Sequence, residues 1–199
     1  MKQIALALAF VIAAPAVWAA EQLPLSEISA YLNRLSTIET TFTQVNQDGS
    51  TSTGTLWLQR PGRMRFEYNP PEQAVVVAKA GSVIVHDPKS NQPPEQYPLN
   101  RTPLSIVLAE RVDLDRANMV VGHVFDGTAT VVTAQDPEHP EYGRIEMSFT
   151  DSPVELRKWT TYDSAGTKTT VLLGPLTKGR ELNQQLFIDG TPGVSSADR

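Results

Sequence analysis

Between Thr55 and Tyr68 apolar and polar residues alternate with period two, and the alternation is broken once, at Pro61-Gly62. Period two is the signature of a strand with one face buried, and Pro-Gly is a strong turn pair, so the segment reads as a β-hairpin. Leu56, Leu58 and Arg60 share a face on the first strand. Met64, Phe66 and Tyr68 share a face on the second, and Arg65 and Glu67 point the other way. One arginine, Arg60, is therefore in phase with an apolar surface, at its rim. A guanidinium in that position needs a partner, because an unpaired buried charge costs on the order of several kcal/mol.

The same patterning divides the rest of the chain. Leu25, Ile28, Leu32, Leu35 and Ile38 recur at three–four spacing and predict a helix over residues 23–40, with Pro24 in its first turn. Thr41 to Val45 alternates as a strand, and Asp48-Gly49 is a hairpin turn. Gln73–Ala78 and Ser82–His86 form a further valine-rich pair around Ala80-Gly81. After the proline-rich loop at Gln92-Pro93-Pro94, Thr102 is placed to cap a second helix with Pro103 in its first turn. Leu104, Val107, Leu108 and Val112 line one side of it, and Ile106 widens the stripe. Strands then follow at Met119–Phe125, Thr128–Ala134, Gly143–Thr150, Val154–Asp163, Thr167–Leu173 and Leu186–Asp189. About ten or eleven strands, two or three helices and no βαβ alternation predict a mainly β (α+β) fold: an antiparallel sheet with segregated helices.

The first residues change the setting. Met1-Lys2-Gln3, the apolar run Ile4–Ala14 and Val17-Trp18-Ala19 read as a secretory signal, residues 1–19, cut after Ala19. Residues 20–199 then form a single domain by the usual prior of roughly 100–200 residues, and the small polar tail 193–199 is expected to be mobile. The chain has no cysteine, so an exported fold must rely on its core, and no thiolate site, cysteine nucleophile or lipidated cysteine is available. Net charge is −5, becoming −6 once Lys2 leaves with the signal. A modestly acidic chain argues against nucleic acid as a partner.

Reactive chemistry is sparse. His86-Asp87 near Ser82 is the one fragment that resembles a hydrolase, but Ser82 follows a lone Gly81 and no Gly-x-Ser-x-Gly elbow exists. His123 falls in a valine-rich strand. His139 sits in the acidic loop Asp136–Glu141, which lacks the ligand spacing of a zinc or calcium site. No glycine-rich phosphate cradle is present. The expectation is no catalytic residue, no metal and no cofactor, and an ester hydrolase built on Ser82 and His86 is kept as the contrasting enzyme reading. A sealed core that serves only as an interaction module is the third.

The hairpin face reads in two ways. Leu56, Leu58, Met64, Phe66 and Tyr68 could be plain core. Against that stand Arg60 in phase with them, and a second helix set apart by a long loop, as a lid would be. A sheet wall carrying an arginine and closed by short helices suits a greasy ligand.

These residues also carry a resemblance. Trp57, Arg60-Pro61, Met64, Phe66, Tyr68 and Pro71 resemble the signature hairpin of the periplasmic outer-membrane lipoprotein carrier family, LolA. Phe42-Thr43-Gln44, Asp87-Pro88, Thr102-Pro103-Leu104, Gly143-Arg144-Ile145, Leu156-Arg157-Lys158-Trp159 and Leu186-Phe187 extend it in order along the chain to about Val194. The resemblance implies an open, incomplete antiparallel β-barrel with a helical lid over an apolar cavity. It implies a periplasmic carrier; the missing cysteine predicts that it is soluble, and a monomer is expected. Such a carrier takes lipoproteins from an inner-membrane ABC release complex, shields their acyl chains and passes them to an outer-membrane acceptor. By the same carry-over, Leu56, Leu58, Met64, Phe66, Tyr68, Val76 and Ile84 would line the acyl cavity and Leu104, Val107 and Leu108 the lid. Arg60 would hydrogen-bond the lid and latch the empty carrier shut. The chain departs from the family's pattern at Phe66, Ala80 and Ile84, where Trp, Asp and an aromatic are common. A protein of the same fold could instead bind another lipid or act in envelope-stress sensing.

Burial of an acyl chain contributes about 0.8 kcal/mol per CH₂. A lipoprotein's few tens of methylenes would carry full burial to the non-covalent ceiling of roughly 20 kcal/mol, and release would fail. A closed empty state that competes with cargo lowers that affinity.

Overall fold

A computed structural model describes residues 22–116 and 118–188. The leader and the tail named above lie outside the described residues, as does Asp189. In chain order the elements are α1 (Leu25–Arg34), β1 (Thr37–Val45), β2 (Thr51–Gln59), β3 (Arg63–Tyr68), β4 (Val75–Lys79), β5 (Ser82–His86) and β6 (Glu95–Pro98). Then come α2 (Leu104–Leu108), β7 (Val120–Phe125), β8 (Thr130–Gln135), β9 (Arg144–Asp151), β10 (Val154–Tyr162), β11 (Lys168–Leu173) and β12 (Thr177–Lys178). Short 3₁₀ turns sit at Leu99–Arg101, Pro140–Tyr142 and Gln184–Phe187.

The strands form one antiparallel sheet in the order β6-β5-β4-β3-β2-β1-β11-β10-β9-β8-β7, with β12 pairing the start of β1. Among the described residues β6 and β7 are free edges, so the barrel is incomplete, as expected. How far the sheet curls follows from two rings. Phe66 on β3 and Trp159 on β10 are four strands apart, which in a flat sheet would be about 19 Å. Their ring centroids are 6.2 Å apart. The sheet therefore wraps around its inner face, and that face carries a single core running from Val83 on β5 through Leu56, Met64 and Phe66 to Met147 and Phe149 on β9. Ile28 and Leu32 of α1 and Ile106, Val107 and Leu108 of α2 pack into the same core.

Four expectations are corrected. The first helix does not reach residue 40: it ends at Arg34, and Thr37 already begins β1. Thr37, Ile38, Thr40 and Thr41 are β-branched and favour a pleated strand over a helix, and Ile38, Thr40 and Phe42 are buried in period two. Thr102 does not cap α2, whose N-cap is Pro103; the Thr102 hydroxyl donates instead to the Leu99 carbonyl, 2.8 Å away. The expected strand at Leu186 is a 3₁₀ turn, which Asn183 caps by accepting from the Gln185 amide at 3.0 Å. Among the described residues the sheet has twelve strands, because the proline-rich loop contributes β6 and the stretch after β11 contributes β12.

Gly54 is required by a close approach. It pairs with Phe42 on one side and Tyr68 on the other. A Cβ there would lie 2.7 Å from Phe42 Cε1 and overlap the Glu67 carbonyl oxygen. Its absence lets the Phe42 ring settle against both Phe66 and Tyr68, at centroid distances of 5.0 and 5.1 Å, edge to face.

Candidate functional site

Two hairpin tips hold α2, the expected lid, with its flanking segments. At its start the Leu99 amide donates to the Gly81 carbonyl in the β4–β5 turn, at 2.8 Å. At its end, the last carbonyls of a helix lack intrahelical partners. Here the β2–β3 turn supplies them. The Gly62 amide donates to the Leu108 carbonyl at 2.9 Å. The Arg60 guanidinium donates twice to the Ala109 carbonyl, from Nε at 3.2 Å and Nη2 at 2.5 Å. A cation at a helix C-terminus also meets the negative end of the helix dipole. Partial burial lowers the Arg60 pKa from its ordinary value, yet a guanidinium stays charged at physiological pH. The chain beyond the lid is fastened to α1. Asn33 exchanges two hydrogen bonds with the Val112 backbone, at 2.8 and 2.9 Å, and Ser29 Oγ accepts from the Leu114 amide at 3.0 Å.

Under the lid lies a cavity of about 220 Å³. Phe66, Tyr68 and Val76 form one wall, Trp159 and Val171 the facing wall, and Leu104 the roof. Gln44, Thr161, Asp163 and Thr169 supply a polar side. The Tyr68 hydroxyl donates to Gln44 Oε1 at 2.6 Å, and burial pushes its pKa up to about 12, so it remains a neutral donor. The cavity can take apolar matter on one side and an amide or hydroxyl on the other. Its volume is below the ~300–1,000 Å³ typical of sites for drug-sized ligands, and displacement of Leu104 with α2 would enlarge it.

Of the residues singled out in the sequence, Phe66, Tyr68, Val76 and Leu104 meet at this cavity. Leu56, Leu58, Met64, Val107 and Leu108 face inward but pack in the surrounding core. Ile84 is misplaced. It pairs with Val77, which pairs with Arg65, and paired residues share a face; Ile84 is therefore on the outer face, and Val85, paired with Val76, is on the inner one.

Two features escaped the sequence reading. Trp159 and Val171 come from strands distant in sequence, and only the curl brings them to Phe66. In strict period two Leu156 and Trp159 would face opposite ways. A β-bulge between Leu156 and Lys158 resets the phase, and both turn inward. Arg65, expected to point away from the core, is fully buried beneath the C-terminal 3₁₀ turn. Its guanidinium binds Glu67 at 2.7 Å and donates to the Leu186 carbonyl at 3.2 Å. Trp57, Leu182, Leu186 and Phe187 make a small second core beside it.

The hydrolase fragment does not assemble. Ser82 and His86 are at opposite ends of β5, about 13 Å apart along a strand. Ser82 Oγ accepts from Gln96 Nε2 at 2.9 Å. Among the described residues no cluster of His, Asp and Glu has the arrangement of a metal site. No helix among them is long and apolar enough to cross a membrane.

Compared with known proteins, residues 33–188 match the family model for the outer membrane lipoprotein carrier protein LolA. An outer-membrane lipoprotein carrier protein of Methylobacillus flagellatus is 26% identical over 187 residues, 89% of this chain and of that one. Another, from Methylococcus capsulatus, is 36% identical over 73 residues, so the match spans 34% of this chain and about a third (35%) of that relative. Among solved structures, a LolA superfamily protein of Nitrosomonas europaea superposes with a TM-score of 0.43 at 8% identity, covering 84% of this chain and 98% of that one.

Proposed function

This chain belongs to the outer membrane lipoprotein carrier protein LolA family, and from that premise we propose that it is a periplasmic carrier which holds the acyl chains of lipoproteins beneath α2. The observation that carries the reading is the pairing of an apolar cavity with a roof fastened at its far end by Arg60. The cavity supplies affinity of about 0.8 kcal/mol per buried CH₂. The latch supplies the opposing term, because each hydrogen bond to Ala109 must break before the roof lifts. Cargo therefore binds with less than its full burial energy, and it can be handed on.

The remaining parts follow from the same reading. Residues 20–199 act as one domain after removal of residues 1–19. The carrier works as a monomer without cofactor, metal or bond chemistry. It receives cargo from an inner-membrane ABC release complex and delivers it to an outer-membrane acceptor. Leu104 and Phe66 touch cargo directly, and Arg60 acts on it through the lid.

The test is native mass spectrometry of the purified chain with a synthetic triacylated lipopeptide and with the same peptide lacking its acyl groups. A one-to-one complex with the acylated form alone, lost in Leu104→Glu, supports the carrier. Equal binding of both peptides, or none of either, contradicts it.

A further inference from the structure

A second concavity, separate from the acyl cavity, lies where the two hairpin tips meet the end of the lid. It is a cleft of about 610 Å³ bordered by Pro61, Gly62, Arg63, Lys79, Leu108 and Ile188. Its chemistry is unlike that of the chain as a whole. The chain has 22 acidic and 17 basic residues, yet among the described residues the cleft is lined by two cations and no carboxylate. Both cations spend their hydrogen bonds on neutral acceptors: Arg63 on Gln184 Oε1 and Lys79 on the Ile188 carbonyl. Among the described residues neither forms an ion pair. Two positive charges on one concavity therefore keep their field. Space is available: a Cβ on Gly62 or on Gly81 would meet nothing within 4 Å. Ile188, 52% exposed, offers an apolar contact at the edge.

We infer that this cleft is the docking site for an acidic segment of a partner protein, one that places a carboxylate between Arg63 and Lys79 and an apolar side chain against Ile188. A concave, walled site with one exposed large apolar residue fits a peptide better than a planar bilayer, and a net-acidic protein is repelled from an anionic membrane. The position gives docking a consequence. Leu108 borders the cleft, and its carbonyl is held by Gly62 of the same turn that carries Arg60. A partner seated here touches the latched end of the lid. The inference deepens the carrier reading by naming where a partner engages, and it concerns a different cavity from the one that takes acyl chains.

The experiment is fluorescence anisotropy of the full chain with labelled hexapeptides of alternating Glu-Leu, Gln-Leu and Lys-Leu, at ~20 and ~300 mM salt. The Glu-Leu peptide is expected to bind best and to weaken at the higher salt. The Arg63→Glu/Lys79→Glu double variant is expected to lose about tenfold or more of that affinity. Gln184→Ala removes Arg63's partner but keeps the charge, so it separates loosening of the C-terminal turn from loss of the field. Binding within about twofold of the parent is expected for it, since exposed contacts contribute little. Equal binding of the Glu-Leu and Gln-Leu peptides overturns the inference, as does an unaffected double variant. Binding of phosphatidylglycerol vesicles with no binding of the Glu-Leu peptide also overturns it, in favour of a membrane surface. Lipopeptide uptake measured on the same samples keeps the two readings apart. Uptake without peptide binding removes only the docking site, and peptide binding without uptake removes only the carrier.

Discussion

Arg60, one residue beyond the end of β2, closes the C-terminus of α2 by donating from both Nε and Nη2 to a single carbonyl, that of Ala109. The lid is thus fastened to the sheet by a side chain on a hairpin turn, with the neighbouring Gly62 amide taking the preceding carbonyl. Hydrogen bonds from a charged donor contribute roughly 1.5–3 kcal/mol, so Arg60→Leu is expected to bias the lid toward opening by that amount. Hydrogen exchange over residues 104–112 should speed up by about tenfold or more. Acylated cargo should be retained longer, because the closed empty state no longer competes as well. Parent-like exchange and transfer in the variant would refute the latch.

Gly54 sets a second expectation. With Phe42 and the Glu67 carbonyl packed over its Cα, Gly54→Ala should destabilise by about 1–3 kcal/mol through overpacking. Urea denaturation measures it. An unchanged midpoint would mean that β2 and β3 can separate without cost.

Arg65 is buried completely and paired with Glu67. Truncation leaves the Glu67 carboxylate and the Leu186 carbonyl without it, and Arg65→Ala should cost about 3–5 kcal/mol. Protease sensitivity should rise first at residues 182–188, since the C-terminal turn loses its hold on β3. A cost below about 1 kcal/mol would show that the turn is fastened by Phe187 and Leu186 alone.

Two pH dependences have opposite signs. For Glu155, burial alone would raise the pKa, but Lys178 at 2.5 Å and Arg157 at 3.0 Å outweigh it and hold the group below its ordinary 4.5. The folded chain binds this proton less readily than the unfolded one. The stability contributed is therefore full above pH 4.5 and is lost as pH falls through the depressed value. Melting temperature should drop more steeply below that pH in the parent than in Glu155→Gln. Tyr68 behaves conversely. Its pKa, raised by burial from 10.0 to about 12, contributes stability that is complete below pH 10.0 and lost as pH rises toward 12. Tyr68→Phe should flatten that alkaline decline, followed by circular dichroism. Identical alkaline arms would mean that Tyr68 ionises as freely as in solvent.

How much of this was legible in the sequence depends on whether the deciding interaction is local. The hairpin faces of β2 and β3 follow from period two alone, and Arg60 in phase with them already demanded a partner. Which partner depended on the residue that ends a helix 49 positions later, Ala109 just beyond Leu108. Trp159 was hidden for two reasons: a single-residue bulge reversed its face, and only the curl of the sheet brings it within 6.2 Å of Phe66. Ile84 was assigned to the wrong face because a valine-rich strand is apolar on both, so Val83, Ile84 and Val85 carry no alternation to read. Arg65 followed the alternation correctly. What covers its face is a turn more than a hundred residues later, held by a side chain-to-backbone hydrogen bond that no local pattern announces.

On the carrier reading, acyl chains lie between Phe66 and Trp159 beneath α2. Trp159 can report this directly, because Trp57 faces the outer cluster and Trp18 falls within residues 1–19, the expected leader. The measurement is quenching of Trp159 fluorescence by a lipopeptide brominated along its acyl chains, using a Trp57→Phe variant without residues 1–19. Saturable one-to-one quenching that persists longer in Arg60→Leu is the expected result. Undiminished Trp159 emission while lipopeptide binds would place the cargo elsewhere and contradict the account.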